Sequence, residues 1–167
     1  MYRRRRRASV HFSSATPEWS TPPELFAELD AEFGFELDVC ATAGNARCSE
    51  YFTQAQDGLA QKWRGVCWMN PPYGSGIGAW MRKAYESSLL GATVVCLVPA
   101  RTDTAWWQDI AVLGEIRFLR GRLRFGGAAT GAPFPSAVVI YRPFSVDTFV
   151  DTPGVYGTDY ESGGSSL

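Results

Sequence analysis

The sequence predicts an α/β domain on a mostly parallel sheet that closes with antiparallel strands. Three observations carry this. Residues 92–98 form a near-continuous apolar run, β-branched at Thr93, Val94 and Val95, which is how a central parallel strand reads. Strand-like runs alternate with helix-period segments along the chain. The strand candidates also end in polar or proline-rich loops, near Asp38, Asn70 and Pro99, so those groups share one carboxyl edge. Open α/β sheets bind ligands at that edge. At 167 residues and 46% hydrophobic, the chain can bury one full core. A single domain is expected over residues 16–145, with a flexible basic arm at 1–15 and a flexible tail at 146–167.

In order, Thr21 can cap a helix that has Pro22 and Pro23 in its first turn and Glu24 three positions on. Leu25, Phe26, Leu29 and Phe33 keep helical spacing, and Gly34 ends the helix. Residues 35–41 are a short strand that passes Asp38 and opens into Ala41, Thr42, Ala43 and Gly44. Small residues there let a ligand approach the backbone. No GxGxxG follows, so a dinucleotide pyrophosphate site is not indicated. A second strand is expected at 48–52, then a turn at Asp57-Gly58. Residues 66–69 form the next strand. It stops at Asn70-Pro71-Pro72-Tyr73, where two prolines fix φ and withhold N–H groups. Residues 79–90 read as a helix with Trp80, Met81, Ala84, Tyr85, Ser88 and Leu89 on one face. A second helix is expected at 104–113. Residues 115–125 read as two strands bent about Arg120-Gly121, and 137–141 as the last strand.

Composition narrows the partners. Net charge is −1, so overall charge selects none. Of 16 basic residues, five are Arg3 to Arg7 and four more are Arg117, Arg120, Arg122 and Arg124. Arginine suits bidentate phosphate and base contacts, although an arginine-studded solvated hairpin would read the same way. Four cysteines without CxxC spacing and a single histidine argue against a metal site and for buried, reduced thiols. Reduced thiols point to a cytosolic protein. No apolar run approaches the roughly 20 residues of a membrane helix, and no apolar segment follows the N-terminal arginines as in a secretory signal.

The loop at 70–73 suits one kind of chemistry. A planar amine attacks poorly because its lone pair is delocalised into the ring. The Asn70 side-chain oxygen and the Pro71 carbonyl are neutral acceptors on a rigid frame, able to draw such an amine towards tetrahedral geometry. Tyr73 can lie against the ring and hold its orientation. The plainer alternative is a stiff turn capped by a surface tyrosine.

Asn70-Pro71-Pro72-Tyr73 resembles the catalytic motif of amino-methyltransferases that use S-adenosylmethionine, and Thr21-Pro22-Pro23-Glu24-Leu25 resembles their N-terminal cofactor-contacting segment. The wider set DVCA, NARC, YFT, DGL, WRG, NPPYG, PARTDTAWW, EIRFLRGRLRF and APFPSAVVIY resembles the phage and prophage DNA N6-adenine methyltransferase family of Dam type, over residues 19–143. The resemblance implies a Rossmann-like class I methyltransferase fold with an antiparallel last strand. It implies methyl transfer from S-adenosyl-L-methionine to N6 of an adenine flipped out of double-stranded DNA. By position, Thr21, Pro22 and Pro23 would border the methionine end of the cofactor. Asp38, Cys40 and Ala41 would line its loop, and Asp57 would lie near its adenine. Asn70, Pro71, Pro72 and Tyr73 would take the target base, with Asn70 also beside the cofactor and Phe134 as a further wall. Arg117, Arg120, Arg122, Arg124 and the N-terminal arm would contact DNA. A monomer in the bacterial cytoplasm, encoded by phage or prophage, is expected.

Only 31 residues separate Asp38 from Asn70, so the cofactor region is abbreviated, and no stretch is long enough for a separate recognition domain. A short or loose recognition sequence and strong salt dependence follow. N4 of cytosine, an RNA base, or DNA binding without transfer are the competing readings.

Overall fold

A computed structural model describes residues 20–144. The expected basic arm and tail lie outside the described residues. One six-stranded sheet organises the rest: β1 (Leu37–Asp38), β2 (Glu50–Tyr51), β3 (Val66–Met69), β4 (Thr93–Pro99), β5 (Glu115–Phe118) and β6 (Ser136–Tyr141). The spatial order is β2-β1-β3-β4-β6-β5. The first four strands are parallel, and β6 runs antiparallel to both β4 and β5. The sheet is therefore mostly parallel with an antiparallel last strand, as a Rossmann-like methyltransferase fold requires. β4 is its apolar centre: Val94, Val95, Cys96, Leu97 and Val98 are fully buried.

Helix α1 (Pro23–Phe33) covers one face, where Phe26 lies 5.3 Å from Phe35 and meets Trp68 edge-on at 5.4 Å. Helix α2 (Ile77–Leu89) and the short α3 (Ala105–Asp109) cover the other. There Tyr85 meets Tyr141, and Trp107 stacks on Phe118. Side chains alternate along each strand, so β4 feeds both layers. Gly34 closes α1 in the left-handed region at φ 66°, its N–H donating to the Asp30 carbonyl.

Three expectations change. Thr21 does not cap α1: the residue before the helix is Pro22, and no side chain bonds the first turn. The Arg120-Gly121 hairpin does not form. β5 ends at Phe118 and pairs with β6 instead, and residues 119–135 make a long excursion. The physical reason is burial. All six β6 side chains are buried, whereas Arg120, Arg122 and Arg124 would have given a hairpin one solvated face. The excursion is pinned where Gly126 N–H donates to the Ser20 carbonyl at 2.9 Å. It turns at Gly126 and Gly127, with φ of 58° and 75°. The outer helix is also shorter than expected: α3 ends at Asp109, and a 3₁₀ turn follows over Ala111–Leu113.

Candidate active site

β1 continues to β2 on one side of the sheet, and β3 continues through α2 to β4 on the other. Their carboxyl ends diverge at a topological switch point, which opens a crevice between the loops after Asp38 and Met69. That crevice brings together Thr21, Asp38, Cys40, Ala41, Asp57, Asn70 and Pro72.

A cavity of about 340 Å³ occupies it, lined by Val39, Phe52, Pro72 and Trp80 on its apolar walls and by Asn45 and Asp57 among its polar groups. Its size suits a small ligand, such sites running to roughly 300–1,000 Å³. Cys40 and Ala41 also line it. Asp57 sits at φ 51°, the left-handed exception among the described non-glycine residues. Gly58 follows because nothing larger fits: a Cβ there would lie 2.2 Å from the Val39 carbonyl oxygen and 3.1 Å from Trp80.

Beside this cavity is a small polar pocket bordered by Thr21, Asp38, Cys40, Arg47 and Asn70. Asp38 is 3% exposed. Its carboxylate accepts the backbone N–H groups of Cys40 (3.3 Å) and Arg47 (3.1 Å). Burial outweighs those donors and pushes its pKa up to about 6. The Arg47 guanidinium donates to the Thr21 carbonyl and lies over the Phe26 ring at 5.8 Å. It thereby ties the segment before α1 to the loop after β1. Burial, with the Asp38 charge adding to it, holds the Cys40 thiol well above its usual range.

Asn70 Nδ2 donates to Thr21 Oγ1 at 3.1 Å, which directs the amide nitrogen at Thr21 and assigns the acceptor oxygen to the other branch. Pro71 is buried next to it. Tyr73 is not the surface aromatic of the plainer alternative. It is 1% exposed, and its hydroxyl donates to the Leu97 carbonyl at 3.2 Å. Its ring meets Phe125 and Phe134 edge-on, at 6.0 and 5.6 Å. Phe134 is thus beside the loop, and Phe125 completes a three-ring cluster. Pro22 and Pro23 lie at the start of α1, beyond Thr21.

The arginines separate. Arg117 is bidentate to Glu32, at 2.6 and 2.8 Å, and bonds Glu115 at 2.6 Å. Arg142 shares Glu115, and both guanidiniums lie over Phe33. Arg117 therefore braces β5 against α1. Arg120, Arg122 and Arg124 are exposed on the excursion and form no ion pair among the described residues.

Sequence reasoning did not single out Asn45, Arg47, Phe52 or Phe125 for the site. Asn45 and Arg47 carried a signal, since a polar residue just after a strand end is placed to bond that loop. Phe125 carried none, because its position depends on how the excursion folds back. Among the described residues no cluster of His, Cys, Asp or Glu could hold a metal ion, and no helix is long and apolar enough to cross a membrane.

A family model described as DNA N-6-adenine-methyltransferase (Dam) matches residues 9–152. The chain is 32% identical over 136 residues to a DNA N-6-adenine-methyltransferase of Haemophilus phage HP1, covering 75% of this chain and 78% of that protein. It is 33% identical over 94 residues to a DNA N-6-adenine-methyltransferase of Escherichia phage T1, covering 54% of this chain and 39% of that protein.

Proposed function

The chain belongs to the DNA N-6-adenine-methyltransferase (Dam) family, and from that premise we propose that it transfers a methyl group from S-adenosyl-L-methionine to N6 of an adenine flipped out of double-stranded DNA. The observation that carries the reading is the Asn70–Thr21 pair, set at the switch point between a nucleoside-sized cavity and the Tyr73 cluster.

The residues present fit the cofactor. Val39, Phe52, Pro72 and Trp80 make an apolar slot for a flat ring, closed at its floor by a glycine that tolerates no Cβ. Asp57 stands at that slot as an acceptor for ribose or adenine groups. Asp38, with Thr21 and Asn70 around it, would hold the charged methionine end, and Cys40 and Ala41 would line the loop between. When bound, S-adenosylmethionine supplies an electrophilic methyl group on a sulfonium.

The chain's own residues prepare the amine. Asn70 Oδ1 and the Pro71 carbonyl accept the two N6 hydrogens and favour a tetrahedral nitrogen over a planar one. Both are neutral, so neither takes the proton in the ground state. Thr21 fixes which branch of the amide faces the amine. Pro71 and Pro72 keep the loop from rotating. Tyr73 and Phe134 offer aromatic surface that offsets part of the stacking lost on flipping. A base can reach Tyr73 only when the excursion bearing Phe125 shifts, and the left-handed glycines 126 and 127 are the place for that movement. Arg120, Arg122 and Arg124 supply phosphate contacts from the same excursion.

Labelled methyl transfer to unmethylated DNA tests the reading. Wild type should yield N6-methyladenine, and Asn70→Ala should lose on the order of 100-fold or more. Methylated cytosine as the product, or equal transfer by both proteins, rejects it.

A further inference from the structure

A second groove, of about 350 Å³, lies on the far side of the Asn70–Tyr73 loop from the cofactor cavity. Tyr73, Gly74, Ser75, Arg101, Thr104 and Trp106 line it. None of the preceding steps uses Arg101, Thr104 or Trp106. Resting on the proposed function, we propose that this groove binds the nucleotide flanking the target adenine, with Arg101 on a backbone phosphate and Trp106 against the neighbouring base.

Topology places it there. β3 and β4 are adjacent parallel strands, so the loops at their carboxyl ends stand side by side, one strand spacing of roughly 4.8 Å apart. A base held by the loop after β3 leaves its chain neighbour over the loop after β4. That loop is locked. Arg101 N–H donates to the Pro99 carbonyl at 2.8 Å, and the Arg101 carbonyl accepts both the Thr104 N–H (3.1 Å) and the Thr104 hydroxyl (2.7 Å). The guanidinium is exposed and, unlike Arg117, forms no ion pair among the described residues. Its charge remains available to a phosphate.

Trp106 is half-buried at the start of α3. Its root is held against α2, where the absent Cβ of Gly78 would lie 3.3 Å from the Trp106 Cβ, and its ring meets Trp107 edge-on at 5.5 Å. An indole fixed at its base beside an open groove is a stacking platform. Flipping an adenine strips one face from each neighbouring base, and an aromatic surface replaces that stack. Selection of the flank would then come from this groove.

The test uses the full chain with Arg101→Ala, Arg101→Lys, Trp106→Ala and Trp106→Phe. Affinity for an unmethylated duplex of mixed sequence is measured against salt, and methylated adenines in a randomised duplex library are mapped by sequencing. A thermal shift with S-adenosylmethionine reports an intact cofactor site. Arg101→Ala should lower the salt slope by about one, and Arg101→Lys should retain it. Trp106→Ala should weaken binding by roughly 5- to 100-fold and flatten the preference at one flanking position, with Trp106→Phe intermediate. If wild type methylates DNA while both alanine variants keep its slope and flanking profile, the groove is rejected and the function stands. If wild type binds DNA with an Arg101-dependent slope and transfers no methyl group, the groove stands and the catalytic reading falls. Absence of DNA binding by wild type rejects both.

Discussion

The side-chain amide of Asn70 is held by the hydroxyl of Thr21, across 3.1 Å and 49 positions of sequence. Thr21 therefore controls the orientation of the amide proposed to accept from the target amine. Thr21→Val should lower kcat by about 2- to 10-fold, the worth of one neutral hydrogen bond. Thr21→Ser should retain activity. Steady-state transfer assays, with melting temperatures to confirm that each variant folds, check this.

Asp38 makes pH a probe of the cofactor site. Its folded pKa, about 6, lies above the ordinary 3.8, so the folded protein binds a proton that the unfolded chain has released. Stability therefore rises as pH falls from about 6 towards 3.8. The ionised carboxylate costs on the order of 2–3 kcal/mol above that window. Asp38→Asn should melt higher than wild type at pH 7.5, and the difference should disappear near pH 4. The sign reverses for ligand. A cationic methionine end needs the carboxylate, so affinity for S-adenosylmethionine should weaken below pH 6, and Asp38→Asn should bind poorly throughout. Calorimetric titration at pH 5 and 7.5 measures both.

Gly58 sets the floor of the larger cavity. Gly58→Ala would drive a methyl group into the Val39 carbonyl at 2.2 Å. A cost of roughly 1–3 kcal/mol is expected, together with at least a tenfold loss of cofactor affinity. An unchanged binding isotherm would contradict the assignment of this cavity.

The arginines should divide by role. Arg117→Ala removes a half-exposed brace to Glu32 and Glu115, so stability should fall by less than about 1 kcal/mol with DNA affinity little changed. Arg120→Ala, Arg122→Ala and Arg124→Ala should leave melting unaltered, and each should reduce the salt slope of DNA binding by about one.

Much of this was legible because it rests on local rules. The β3 strand ends where two prolines end it, α1 stops at a glycine that can adopt φ 66°, and β4 reads as apolar throughout. Asp38 and Asn70 stand out because they close strands and Asp57 because it opens a turn before glycine, and all three border the crevice. Long-range pairing was not legible. β5 chose β6 over Arg122–Phe125, a competition decided by how much surface each partner buries. The burial of Tyr73 was not legible either, because nothing local shows that Phe125 and Phe134 will close over it. Thr21 fits the pattern of a helix cap, yet its hydroxyl serves a residue 49 positions away.

The position of β6 has a consequence for biosynthesis. The last strand among the described residues is an interior strand of the sheet, between β4 and β5. A ribosome-bound chain that has not yet released residue 141 carries β4 with one side of its backbone unpaired, and β5 with no neighbour. Such edges recruit other chains. The nascent protein is thus exposed to misassociation until the end of the domain emerges, and premature termination before Ser136 would leave an aggregation-prone fragment rather than a weak enzyme. Activity should appear late in synthesis and all at once.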